Sequence, residues 1–154
     1  MIDRRTVLGL LVTAIPAAAF AKPAKAAMLT VYKSPYCGCC SGWVDHVKAN
    51  GFAVRVLDME DVTPMARKLG VSEALRSCHT GEIGGYFVEG HVPAADIRKL
   101  LRERPNARGV AVPGMPVGSP GMEQGARRDA FSTMMVSRAG RTTVFARHNQ
   151  PRAR

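Results

Sequence analysis

Between residues 29 and 101 the sequence switches repeatedly between a two-residue and a 3.6-residue apolar period, and this alternation constrains the fold more than any other feature. Leu29-Thr30-Val31-Tyr32-Lys33 alternates and is rich in β-branched residues, so it reads as a strand, broken by Ser34-Pro35. From Cys40 the apolar positions Cys40, Trp43, Val44 and Val47 fall at helical spacing, and Asn50-Gly51 closes that helix. Residues 52–57 read as a second strand. Thr63 is placed as an N-cap, with Pro64 at the first helical position and Gly70 just past the end. Residues 85–89 read as a third strand turning at Gly90, and Pro93 opens a helix carrying Ile97, Leu100 and Leu101 on one face until Pro105 stops it. The order strand, helix, strand, helix, strand, helix predicts an α/β sheet with parallel pairing near its start. A short strand at 110–112, a Pro/Gly/Met loop at 113–123 and a hairpin (131–136 and 142–146, around Ala139-Gly140) follow.

The first 21 residues do not belong to that pattern. Arg4-Arg5 precede an apolar run over residues 7–20, and Ala19-Phe20-Ala21 places small residues where a signal peptidase reads. The run falls short of the roughly 20 apolar residues a membrane span needs, so a cleaved export signal is expected, ending at residue 21 or, through Ala24-Lys25-Ala26, at 26. Arg4-Arg5-Thr6-Val7-Leu8 also resembles the twin-arginine export motif, which leaves that route and the general secretory one both open. A periplasmic mature chain with no membrane span follows, organised as a domain over 28–147 and a basic tail over 148–154.

The whole chain has 154 residues and a net charge of +10. Removing residues 1–21 leaves 20 basic and 11 acidic residues, or +9. These cations show no stripe interleaved with aromatics, which argues against nucleic acid as a partner. Attraction to anionic lipids is a secondary consequence.

The chemistry resides in sulfur and imidazole. Cys37, Cys39 and Cys40 place three thiols in four positions where a helix begins, and the unpaired N–H groups and dipole there favour thiolate. Cys78 is a fourth thiol, read as lying in a loop and followed directly by His79. Met115 and Met122 each close a Pro-Gly-Met triplet, seven residues apart, in the loop at 113–123. His91 reads either as a ligand or as a residue holding its turn, whereas His46 reads as a solvent-facing helix residue and His148 as part of the inert tail. Two structural disulfides are the ordinary state of four cysteines in an exported chain, but adjacent and next-but-one cysteines cannot all pair locally without strain. Thiolate, thioether and imidazole together select copper(I), with zinc second, since zinc would need a second cysteine pair or spaced histidines and has no use for methionine. The rival to a binding protein is a thiol–disulfide oxidoreductase using Cys37 and Cys40.

Two resemblances sharpen these readings. The opening strand, Cys37-Gly38-Cys39-Cys40 and the helix after it resemble the start of a thioredoxin-like fold, although Ser77-Cys78-His79-Thr80 stands where such folds carry a cis-proline loop. Together with Trp43, Gly85-Tyr86, Glu89-Gly90-His91-Val92-Pro93 and the Pro-Gly-Met-Pro loop, those motifs resemble domain of unknown function 411 over residues 28–147. That is a family of predicted periplasmic metal-binding proteins found with copper-handling genes. The resemblance implies as metal ligands Cys37, Cys39, Cys40, Cys78, His79, His91, Met115 and Met122, and as partners a copper ion and a copper-receiving periplasmic protein. These are more donors than one copper ion needs, so some would serve as supporting groups, redox partners or ligands of a second ion.

Overall fold

A computed structural model describes residues 27–151, so the expected export signal and the last three residues lie outside it. Strand β1 (Leu29–Lys33) leads into helix α1 (Gly38–Ala49), then β2 (Val54–Asp58) and α2 (Thr63–Leu69). A 3-10 turn (Glu73–Leu75) precedes β3 (His79–Ile83) and β4 (Tyr86–Glu89), followed by α3 (Ala94–Glu103), β5 (Ala107–Ala111) and the hairpin β6 (Phe131–Ser137) and β7 (Thr142–His148). The strands form one mixed sheet in the order β2-β1-β3-β4-β5-β6-β7. β1 pairs parallel with β2, and β4 with β5, while the other neighbours run antiparallel.

The structure corrects the sequence reading in several places. Helix α1 starts at Gly38 rather than Cys40, with Cys37 as its N-cap, because Gly38-Cys39 forms a first turn with no apolar period of its own. Helix α2 is preceded by Val62, so Thr63 is its first residue and not its cap, and the Asp61 side chain takes the Thr63 N–H at 2.8 Å. Strand β5 begins at Ala107, three residues before the expected strand. The largest omission is β3, which makes the observed order differ from a simple strand–helix repeat. Its sequence His-Thr-Gly-Glu-Ile carries no alternation of apolar residues, yet it lies between β1 and β4 inside the sheet. Gly84 and Gly85, both at positive φ (58° and 85°), turn it tightly into β4.

Helices α1 and α3 cover one face of the sheet. Trp43, Val44 and Val47 pack there with Ile97, Leu100, Leu29, Val31, Ile83, Val88 and Val110. Helix α2 covers the other face, where Ala66 and Leu75 meet Phe87, Ala111 and Val136. Each large apolar side chain so buried stabilises the fold by about 1.5–3 kcal/mol. The packing fixes α1 across the sheet, so its first turn stands over the end where β1 leaves and β3 enters.

Candidate metal centre

The register of β1 and β3 pairs Lys33 with His79. The chain leaving β1 toward Cys37 therefore passes the chain entering β3 through Cys78. The Sγ atoms of Cys37, Cys39, Cys40 and Cys78 all lie within 4.8 Å of one another. Cys37 and Cys40 are joined as a disulfide, their Cα atoms 5.3 Å apart, while Cys39 and Cys78 are free thiols. Cys39 Sγ sits 3.4 Å from Cys37 Sγ and 3.7 Å from Cys78 Sγ. Cys40 is fully buried, whereas the other three thiol positions are partly open to solvent.

Cys78 belongs to a second donor set with His79 and His91, whose ligand atoms also lie within 4.8 Å of one another. Its sulfur is 3.2 Å from His91 Nε2 and 3.5 Å from His79 Nδ1. The Pro120 carbonyl, 2.8 Å from His91 Nδ1, can only accept, so Nδ1 carries the proton and Nε2 turns a lone pair toward Cys78. His91 therefore holds the distant Pro-Gly-Met loop rather than its own turn, and its Nε2 is left as a candidate donor beside Cys78. His79 is fully buried between Trp43, at a ring separation of 4.4 Å, and His91, at 5.0 Å. Burial, with His91 beside it, pulls its pKa down to about 3, which keeps the imidazole in the neutral, ligating form. Its buried Nε2 has no hydrogen-bond partner among the described residues. Burial and the neighbouring Cys39 push the Cys78 thiol up to about 12. A soft cation that replaces the Cys78 proton relieves that penalty, and the sulfur-and-imidazole inventory fits such an ion.

The Pro-Gly-Met loop reaches both sides of this cluster. Its Pro120 carbonyl holds His91, and Gly121 lies directly on the first turn of α1. Gly114 accepts a hydrogen bond from Ser77 Oγ at 2.5 Å, beside Cys78. Met115 follows Gly114 and is 53% exposed, and Met122 follows Gly121 and is half-buried.

Gly121 has φ of +83°, and a Cβ there would stand 2.6 Å from Trp43 N and 2.7 Å from Cys39 O. Both obstacles are backbone, so Gly121→Ala should cost about 2–4 kcal/mol through strain and overpacking. Chemical denaturation is the measurement, and a midpoint unchanged from wild type would show that the loop does not seat on α1.

Several residues of the site were not legible as such. Glu89, fully buried, accepts from the Ser77 N–H at 2.7 Å and from Thr80 Oγ1 at 2.6 Å, bracketing the Cys78-His79 pair. The signal was a carboxylate at the end of an apolar strand. His46 is not a solvent-facing residue: its Nε2 accepts the Ala94 N–H at 3.1 Å and caps α3. Burial holds its pKa low, in keeping with an acceptor nitrogen. His148, grouped with the tail in the sequence, ends β7 and meets the buried Asp96 carboxylate at 2.8 Å.

Comparison with known proteins agrees with this geometry. No curated protein matches the sequence. Two solved structures, described as copper resistance protein copG in form 2 and form 1, are each 49% identical to this chain. The first alignment covers 80% of this chain and 99% of the other, with a TM-score of 0.77. The second covers 80% and 98%, with a TM-score of 0.76. A family model described as "Protein of unknown function, DUF411" matches residues 75–122, the segment holding Cys78, His79, His91 and both loop methionines. That match, with 49% identity over four-fifths of its length to copper resistance proteins, shows that the chain belongs to the DUF411 family.

Proposed function

We propose that this chain is an exported protein that binds copper(I) at the Cys37, Cys39, Cys40, Cys78, His79 and His91 cluster, to buffer the ion or deliver it to a periplasmic acceptor. The observation that carries the reading is the convergence of four cysteine sulfurs within 4.8 Å, one of them shared with two neutral imidazoles. Cys78 is common to both donor sets, so its sulfur would be available to an ion held by either. Met115 and Met122, on the loop that holds His91 and seats on α1, would add thioether donors to this set. The solved relatives are named for copper resistance, which supports copper over zinc. The strand order β2-β1-β3-β4, with α1 crossing between two parallel strands, supports the thioredoxin-like reading of the first part of the fold.

The test is an anaerobic titration of the reduced protein with copper(I) against a chelator of known affinity, with zinc(II) in parallel. Copper(I) should bind more tightly at matched free concentrations, and zinc outcompeting it would contradict the soft site. Because each ligating thiol must lose its proton, affinity should fall as pH drops, by about tenfold per unit for each proton displaced.

A second reading is favoured by the disulfide. A bonded Cys37–Cys40 pair at a helix start, with the free Cys39 Sγ 3.4 Å from Cys37 Sγ, brings together a disulfide and a thiol that could exchange with it.

A further inference from the structure

Of this chain's +10 charge the described residues carry +5, from 16 Lys and Arg against 11 Asp and Glu, and the topology shows where these cations collect. Helices α1 and α3 each cross between parallel strands, and α2 runs away from the end of β2. All three therefore finish at the end of the sheet opposite the cysteines. Their last turns carry Lys48, Arg67, Lys68 and Arg102. Arg104, just beyond α3, and Arg108, at the start of β5, lie at the same end, as do Arg138 and Arg141 of the β6–β7 turn. Glu82 and Glu103 are the carboxylates found there among the described residues, and Glu103 is paired with Lys99 and Arg102.

The cysteine end is built differently. Asp58, Glu60, Asp61, Asp96, Glu123 and Asp129 lie toward it, set against Lys33, Arg76, Arg127, Arg128 and Arg147. Among the described residues, one end is thus strongly positive and the other close to neutral. Complementing helix dipoles does not account for this. Three helix C-termini carry about half a negative charge each, far less than the cations gathered around them.

Within the basic end, Lys68, Arg108 and Arg138 border a shallow depression of about 270 Å³ floored by Gly70 and Gly85. Arg108 is held in place, with Nε donating to the Arg138 carbonyl at 3.1 Å and its stem and Nη1 lying over Gly70. None of these three cations is paired with a carboxylate among the described residues.

We infer that the basic end is a docking surface for an anionic phospholipid membrane, with the depression taking a phosphate headgroup and the cysteine cluster facing away from the bilayer. The cations come from three helices, a strand start and a hairpin turn, spread over one end of the molecule, which suits a plane of charge better than a groove. Docked in this way, the protein presents its thiols to the aqueous side, where a soluble ion or acceptor meets them. The inference is independent of which metal the cysteines hold.

The experiment uses the chain from residue 22, which retains every described element. It is co-sedimented with vesicles of phosphatidylcholine alone or with about 30% phosphatidylglycerol, at low and at physiological salt. Binding should require phosphatidylglycerol and weaken with salt. Lys68→Glu/Arg108→Glu/Arg138→Glu should lower the vesicle partition coefficient by at least about tenfold. Arg127→Glu/Arg128→Glu/Arg147→Glu, the same charge change at the cysteine end, should lower it far less. Circular dichroism of both triples identifies a folding failure. If the first triple does not fold, the single exposed reversals Lys68→Glu and Arg138→Glu, each compared with Arg128→Glu, make the same comparison. Free inorganic phosphate competing fully at equal charge would limit the site to a soluble anion and overturn the membrane assignment. So would equal losses in the two triples, absence of binding to anionic vesicles, or binding to an acidic polypeptide but not to vesicles.

Discussion

Reduction of the Cys37–Cys40 disulfide should raise the affinity for copper(I) by about three orders of magnitude or more. Sulfur in a disulfide is no thiolate, so with that bond closed the cluster offers Cys39, Cys78 and the two imidazoles alone. Opening it doubles the thiols that the cluster can offer an ion, from two to four. The measurement is a chelator competition on one preparation, before and after anaerobic treatment with a phosphine reductant. Equal affinities in the two states would remove Cys37 and Cys40 from the ligand set. The same preparation tests the redox reading, because Cys39 Sγ stands 3.4 Å from Cys37 Sγ and can attack the bonded pair. Catalytic turnover of a model disulfide well above that of a free dithiol, lost in Cys37→Ser, would make the protein an oxidoreductase. Turnover no better than the free dithiol leaves the binding function standing.

The second large effect belongs to Cys78. Its sulfur is common to the four-cysteine set and to the set with His79 and His91, so Cys78→Ser should abolish tight copper(I) binding and lower the stoichiometry. Serine fits the half-exposed position without a cavity, so circular dichroism should remain that of the wild type. The thioethers should rank below it. Met115→Leu should weaken binding by a smaller factor, and Met122→Leu should do least, because an uncharged thioether is a weaker donor than a thiolate. Leucine nearly preserves the volume of methionine, so any loss reports the sulfur rather than packing. Wild-type affinity in Cys78→Ser would show that the two donor sets act separately, and an effect of Met115→Leu as large as that of Cys78→Ser would reverse the ranking.

Much of this protein is local, and what is local could be read from the chain. Residues 29–33 alternate as a strand, the apolar face of α1 repeats at helical spacing, and Pro93 and Pro105 bracket α3, so each element announced itself within about ten residues. The donor inventory is likewise a property of composition and spacing: three thiols at a helix start, Cys78-His79, His91 and two Pro-Gly-Met triplets. Strand β3 was not legible because its place is fixed by hydrogen bonds to β1 and β4 on either side, not by an apolar period of its own. Without β3, Cys78 appeared to sit in a loop of unknown position.

Tertiary structure alone decided that Cys39 and Cys78, 39 positions apart, stand 3.7 Å from each other. It also decided that Pro120 orients His91, that Glu89 brackets the Cys78-His79 pair, and that scattered cations gather at one end of the sheet. The physical reason is the same in each case. Side-chain periodicity records which face a residue turns inward, whereas strand pairing and crossover direction determine which distant residues share an end of the sheet. Those choices rest on backbone hydrogen bonds, which every residue but proline offers alike, so the sequence carries no local mark of them.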